Sequence, residues 1–119
     1  MKKQKTVRQL KKELDLVFGK WVKQRENKCI VCGSTSNLQA GHFMSRRYNN
    51  TRYDPDNVHS ECLKCNCFDP NSILEYRRQI INLYGEGYDK VLEERAHVIR
   101  KFTVQELEEL IKYYKELLK

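Results

Sequence analysis

Two Cys-x-x-Cys pairs, Cys29 with Cys32 and Cys62 with Cys65, enclose His42 and Asn57, and Asn66 follows directly after the last cysteine. One such pair offers two thiolates from a single tight turn, and two pairs supply the four sulfurs that tetrahedral zinc prefers. The competing reading is four unrelated reduced thiols packed in a core, and the doubled spacing in so polar a segment favours structural Zn²⁺. Between the pairs, His42 is the residue type suited to a general base, because imidazole titrates close to neutral pH. A hydrogen-bonded structural histidine, or an accessory to the zinc site, is the alternative for it. With a hard cation nearby to take up charge on a phosphate, this set has the chemistry of phosphodiester hydrolysis.

Arg46, Arg47, Tyr48, Arg52 and Tyr53 crowd the stretch after His42. Basic side chains interleaved with aromatics suit a partner that carries phosphates and exposes bases, although a solvated loop has the same composition. Arg77 and Arg78 lie farther on, where a helix is expected, and read either as further contacts to DNA or as ordinary surface ion pairs with Glu75 or Asp69.

The elements that must position these residues follow from periodicity. Val7, Leu10, Leu14, Val17, Phe18, Trp21 and Val22 recur at three- and four-residue steps, which predicts an amphipathic helix over residues 6 to 26, with Thr6 and Gln9 as a capping box. Residues 29 to 67 have no helical period. Within them residues 38–43 and 57–61 are the two stretches able to pair as strands, joined through 44–56, which predicts a hairpin tied at both ends by zinc. Ser72 with Glu75, Asp89, and Thr103 with Glu106 are expected to cap three further helices, with Gly85 ending the first of them. In the last helix Leu107, Leu110, Ile111, Tyr114, Leu117 and Leu118 make an apolar stripe fit for core packing or for a dimer seam. Cys67 stands outside both pairs and is expected to be a packed thiol.

The fold class expected is α+β and mostly helical, a single domain over residues 1–119: a basic N-terminal helix over 1–28, a zinc-bound centre over 29–85 and C-terminal helices over 86–119. With 39% hydrophobic and 33% charged residues, the chain has little apolar surface to bury, and a metal staple is physically useful. Residues 1–28 hold ten basic against three acidic side chains, which is the whole of the net charge of +7. That asymmetry fits DNA as partner. A membrane partner is not expected, since no apolar run approaches spanning length and no signal-peptide stretch follows the opening lysines. Cysteines in metal spacing fit a reducing, cytoplasmic compartment.

Set in order, Ala40-Gly41-His42-Phe43, Ser45-Arg46-Arg47, Asn57-Val58-His59, Cys62-x-x-Cys65-Asn66 and Glu75-Tyr76-Arg77-Arg78 resemble the phage NinG/Rap recombination nucleases, within the wider HNH (His-Me finger) group. The likeness covers roughly residues 28 to 85. It implies a ββα-metal finger in which His42 activates water, Asn57 braces the loop that positions it, and Asn66 binds a catalytic Mg²⁺ or Mn²⁺. It also implies cutting of branched recombination intermediates, such as D-loops or Holliday junctions, in the host cell of a phage or prophage. Many HNH nucleases bind that metal through an aspartate just before the base histidine, where this chain has Gly41. His59, Asp54, Asp56 and Asn71 are candidate replacements, and His59 is favoured because it alternates with Asn57 along one strand face.

Two other functions fit the same residues. One is a non-catalytic zinc module that binds DNA or a recombination partner, and the other is an assembly protein that zinc merely staples. Symmetric incision of a junction needs two active sites, so a homodimer through the C-terminal stripe is the expectation under the nuclease reading.

Overall fold

A computed structural model describes residues 4–119. Helix α1 (Val7–Glu26) is followed by strand β1 (Leu38–His42), a single helical turn α2 (Asn49–Arg52), strand β2 (Val58–Cys62) and a short π-helix (Lys64–Phe68). Helices α3 (Ser72–Tyr84), α4 (Tyr88–Ala96) and α5 (Val104–Leu117) complete the chain. The molecule is mixed α+β and mostly helical, with one two-stranded antiparallel sheet in which Leu38 pairs with Cys62, Gly41 with His59 and His42 with Val58. Among the described residues no helix is long and apolar enough to cross a membrane.

Helix α1 begins as its sequence dictates. The Thr6 hydroxyl accepts from the Gln9 amide at 3.1 Å and the Gln9 side chain accepts from the Thr6 amide at 2.9 Å, so two of the orphan donors of the first turn are satisfied. Its buried stripe, Leu10, Leu14, Phe18 and Val22, packs with Tyr53 and Val58 and with Leu107, Ile111 and Tyr114 of α5. Those three α5 residues are therefore spent on the chain's own core, the first of the two uses open to the stripe, while Leu117 stays exposed. Gly19 brings α1 close to the sheet: a Cβ there would lie 3.5 Å from that of Ala40.

The other face of the hairpin carries a second core, in which Phe43, just past β1, meets Tyr76 and Ile80 of α3 and Leu92 of α4. Tyr76 pins α3 to both strands. Its hydroxyl donates to the Gly41 carbonyl at 2.6 Å and accepts from the His59 amide at 3.0 Å.

Two expected caps fail for the same reason, a stronger partner nearby. Ser72 does not accept from the Glu75 amide but donates to the Cys65 carbonyl at 2.5 Å, tying α3 to the second cysteine turn, and Asn71 takes the cap position. Asp89 lies inside the first turn of α4, where it accepts from Arg77 at 2.6 Å, and Gly87 at φ 88° caps that helix instead. Thr103 and Glu106 do form their capping box.

Candidate functional site

The four cysteines converge. The sulfurs of Cys29, Cys32, Cys62 and Cys65 all lie within 4.8 Å of one another, and those of Cys32 and Cys62 are 3.7 Å apart. A tetrahedral ion with Zn–S bonds of about 2.3 Å places its sulfurs roughly 3.8 Å from each other, so the donor set fits Zn²⁺. In the first turn the amides of Val31 and Cys32 point at the Cys29 sulfur, at 3.4 and 3.5 Å, which supports a thiolate there. Gly33 at φ 78° closes that turn. The second pair is split between the end of β2 and the π-helix, whose wider turn buries Cys65 while leaving Asn66 exposed. Cys67 is exposed rather than packed, and its thiol donates to the Gln39 side-chain oxygen at 3.8 Å.

His42 sits at the end of β1 on the face toward α1. Its Nε2 lies 2.9 Å from the Arg52 carbonyl. A carbonyl only accepts, so Nε2 carries the proton and Nδ1 keeps its lone pair. Burial, together with the charges of Arg46 and Arg52, pushes the His42 pKa down to about 4, against the opposing pull of the Arg52 carbonyl and Asp15. The ring is therefore neutral at physiological pH. It lines a cavity of about 420 Å³ with Asp15, Phe18, Gln39, Ala40, Arg46 and Asn66.

Asn57 is fully buried between the strand ends. It donates to the carbonyls of Met44 and Thr51, both at 3.0 Å, and accepts from the Met44 amide at 2.8 Å. Those bonds fix both limbs of the connection that carries Arg52. Asn66 donates to the Gln39 side chain at 2.7 Å, which leaves its own oxygen available to a cation.

His59 does not join this site. It lies on the opposite face of the hairpin, 3% exposed, with Nδ1 2.5 Å from Glu26 and Nε2 3.1 Å from both the Asp56 carbonyl and the Tyr84 hydroxyl. With both nitrogens engaged, it ties α1, β2 and α3 together instead of holding a catalytic ion. The other candidate ligands do not join the site either: Asp54 pairs with Arg95, Asp56 accepts from Tyr88, and Asn71, at the start of α3, is not part of the lining of the His42 cavity.

The arginines divide into two groups. Arg52 is held by Asp15 through two bonds of 3.0 and 2.6 Å, and Arg77 by Asp89 and Glu93, so both are structural cations rather than free ones. Arg78 pairs with Glu75 on the surface. Arg46 and Arg47 remain exposed beside the His42 cavity; Arg46 is 3.9 Å from Asp15, and Arg47 stacks over Tyr48. Of the N-terminal lysines expected to meet DNA, Lys5 pairs with Glu13 and Lys11 donates to Asn49, while Lys2 and Lys3 lie outside the described residues.

Sequence reasoning overlooked two acids, of which Asp15 alone lines the cavity. Asp15 reaches the cavity from the middle of α1, and no local pattern marks it. Glu61, in β2, is 4% exposed, and burial pushes its carboxyl up to about 7.

Fold and site together define a small mixed α+β protein with a four-cysteine centre suited to a metal such as zinc. The chain belongs to the NinG family of phage proteins. The family model described as "Bacteriophage Lambda NinG protein" matches residues 1–119. The chain is similar to "Protein ninG" of Escherichia phage 933W, with 31% identity over 82% of this chain and 49% of the relative. It is also similar to "Protein ninG" of Escherichia phage lambda, with 28% identity over 82% of this chain and 48% of the relative. For "Protein ninG" of Salmonella phage P22 the figures are 28% identity, 82% of this chain and 49% of the relative. The chain thus spans about half the length of the curated relatives it matches. No solved structure matches it.

Proposed function

We propose that the protein is a metal-dependent endonuclease of the HNH type that hydrolyses phosphodiester bonds in branched DNA during phage recombination. The observation that carries this reading is His42: a neutral imidazole, held at Nε2 by the Arg52 carbonyl, with its basic Nδ1 free beside a cavity that Asn66 and Arg46 also line. The β1–β2 hairpin followed by the π-helix and α3 is read as the ββα-metal finger, with zinc fastening the strand ends to the helix.

In this mechanism Nδ1 of His42 removes a proton from water. The water oxygen bonds to phosphorus in line with the departing sugar oxygen, whose bond to phosphorus breaks, and the proton taken ends on the imidazole. Asn66 offers an amide oxygen of the kind that hard cations accept, and Mg²⁺ or Mn²⁺ bound there would neutralise charge on the phosphate and on the leaving oxygen. Asn57 and Asp15 act through Arg52: one fixes its backbone, the other its guanidinium, and so they set the direction of the imidazole. Arg46 and Arg47 supply phosphate contacts at the mouth of the cavity. Acting on phage DNA, the enzyme would work in the cytoplasm of the infected cell.

A non-catalytic DNA-binding module is the second reading, and Gly41, which offers no side-chain metal ligand directly before His42, favours it; the pairing of Arg52, Arg77 and Arg78 with carboxylates bears on both readings alike. Incubating the protein with linear, flapped and four-way DNA in magnesium, manganese or chelator separates the two. The nuclease reading expects metal-dependent cutting that favours the branched forms, and binding without turnover on every substrate would replace it with the module.

A further inference from the structure

The loop between α4 and α5, residues 97–103, is held in place yet keeps its apolar tip in water. Ile99 is 89% exposed, the most of any large apolar side chain among the described residues, and Val98 beside it is 58% exposed. A free loop exposes such residues for want of contacts, but this one is fastened at both ends and in the middle. The Asn50 side chain donates to the Arg95 carbonyl at 2.8 Å and the Asn49 side chain to the Arg100 carbonyl at 2.9 Å, so α2 binds the backbone on either side of the tip. Phe102 sets its ring 5.6 Å from that of Tyr53 in the core, and Thr103 opens α5 through its capping box.

The surroundings of the tip are basic. Arg100 and Lys101 follow Ile99 directly and are exposed; Arg100 pairs with Glu106 at 2.7 Å, whereas Lys101 meets no carboxylate among the described residues. The loop is also continuous with the His42 cavity. Arg46 lines that cavity, the guanidinium of Arg47 next to it lies 4.8 Å from the centre of the Tyr48 ring, and that ring lies 5.2 Å from the imidazole of His97. A strip of cations and rings therefore leads from the cavity to the loop, and its sign suits a polyanion. An apolar side chain on a fixed backbone, flanked by cations, is the arrangement with which proteins wedge open a base step. On an intact duplex the wedge must first unstack two base pairs, whereas at a branch the stacking is already interrupted and the tip finds its place without that cost.

We propose that the 97–103 loop is a wedge that recognises the branch of a DNA substrate: Ile99 and Val98 cover the bases exposed where stacking breaks, while Lys101 holds the adjoining phosphates. The proposal rests on the reading of branched DNA as the substrate and adds the residues that select it. Arg46 and Arg47 then contribute affinity to every DNA shape, and the loop contributes the difference between shapes.

Fluorescence anisotropy of the zinc-loaded full chain with a four-way junction and with a linear duplex of equal length, without added magnesium or manganese, tests this. Val98→Ser with Ile99→Ser is expected to reduce the preference for the junction at least about tenfold and to leave duplex affinity within about twofold. Zinc content and the unfolding transition should not change, because both side chains already lie in solvent. Ile99→Met, which keeps an apolar tip, is expected to retain the preference. Lys101→Gln is expected to weaken both shapes alike and to lower the salt slope by about 1. An unchanged junction preference in the double variant overturns the proposal and leaves the substrate reading in place. A wild type that binds both shapes equally, or neither, overturns it together with the branched-DNA reading. A double variant that binds DNA as the wild type does but loses self-association in sedimentation assigns the loop to a protein contact and overturns it too. Junction binding that depends on the loop, in a protein that cuts no DNA once magnesium is supplied, supports the wedge and removes the nuclease reading alone.

Discussion

The imidazole of His42 donates from Nε2 to the carbonyl of Arg52 at 2.9 Å, and this one bond decides which nitrogen can act as a base. Arg52 belongs to the helical turn α2, ten residues away along the chain, so the tautomer of a β1 residue is set by the connection between the strands. Asp15 from α1 grips the Arg52 guanidinium, and Asn57 binds the Thr51 carbonyl just before it. The N-terminal helix is in this way a part of the site and not an appendage to it.

The low pKa of His42 fixes the expected response to acid. With the base already deprotonated well below neutrality, the single-turnover rate at saturating metal should stay within about twofold between about pH 5.5 and about pH 7.5, whereas an ordinary histidine near 6.5 would lose about tenfold. Stability moves in the matching direction. Between about 6.5 and about 4 the unfolded chain takes up a proton that the folded chain refuses, so stability falls as pH drops through that window, by an amount on the order of 3 kcal/mol, and is indifferent to this group above it. Urea midpoints of wild type and His42→Gln across the window measure the effect, and parallel curves would contradict it.

Asn57→Ala removes three hydrogen bonds at once and leaves the Met44 and Thr51 backbone groups unpaired inside the fold. A loss of about 3 kcal/mol in unfolding free energy is expected. Denaturant titration with zinc present would show it; a change below about 1 kcal/mol would mean that water replaces the amide.

Removing the cysteine-bound metal should unfold the centre of the molecule. The protein is expected to carry one equivalent of zinc, and chelator or Cys62→Ser should abolish cooperative unfolding, since a structural site of this type supplies on the order of 10 kcal/mol. Metal analysis alongside thermal denaturation checks it, and a metal-free protein with an unchanged transition would refute the staple.

Binding to DNA should depend on Arg46 and Arg47 more than on Lys5 and Lys11, which are already engaged by Glu13 and Asn49. Replacing both arginines by glutamine is expected to reduce the slope of log affinity against log salt by about 2, without changing which DNA shape is preferred. Fluorescence anisotropy at several salt concentrations gives that slope, and an unaltered slope would move the surface elsewhere.

What the sequence disclosed was local or repeated. The stripe of α1, the Thr6 and Thr103 capping boxes and the doubled cysteine spacing each depend on residues a few positions apart, and each has its structural counterpart here. The caps assigned to Ser72 and Asp89 failed because Cys65 and Arg77, remote in sequence, compete for the same side chains. The π-helix was hidden for a related reason, since it arises where two cysteine turns must face one centre. His59 was misplaced by a sound periodicity argument: it does share a face with Asn57, but Glu26 and Tyr84 close over that face. Asp15 reaches the site across a long sequence separation, and only packing brings it there.

The most direct measurement is the magnesium-dependent, single-turnover cleavage of a four-way DNA junction by zinc-loaded wild type and His42→Ala. The wild type should cut, and the variant should cut at least about a hundredfold more slowly while keeping its zinc and its unfolding transition. A His42→Ala protein that cuts at the wild-type rate would contradict the account.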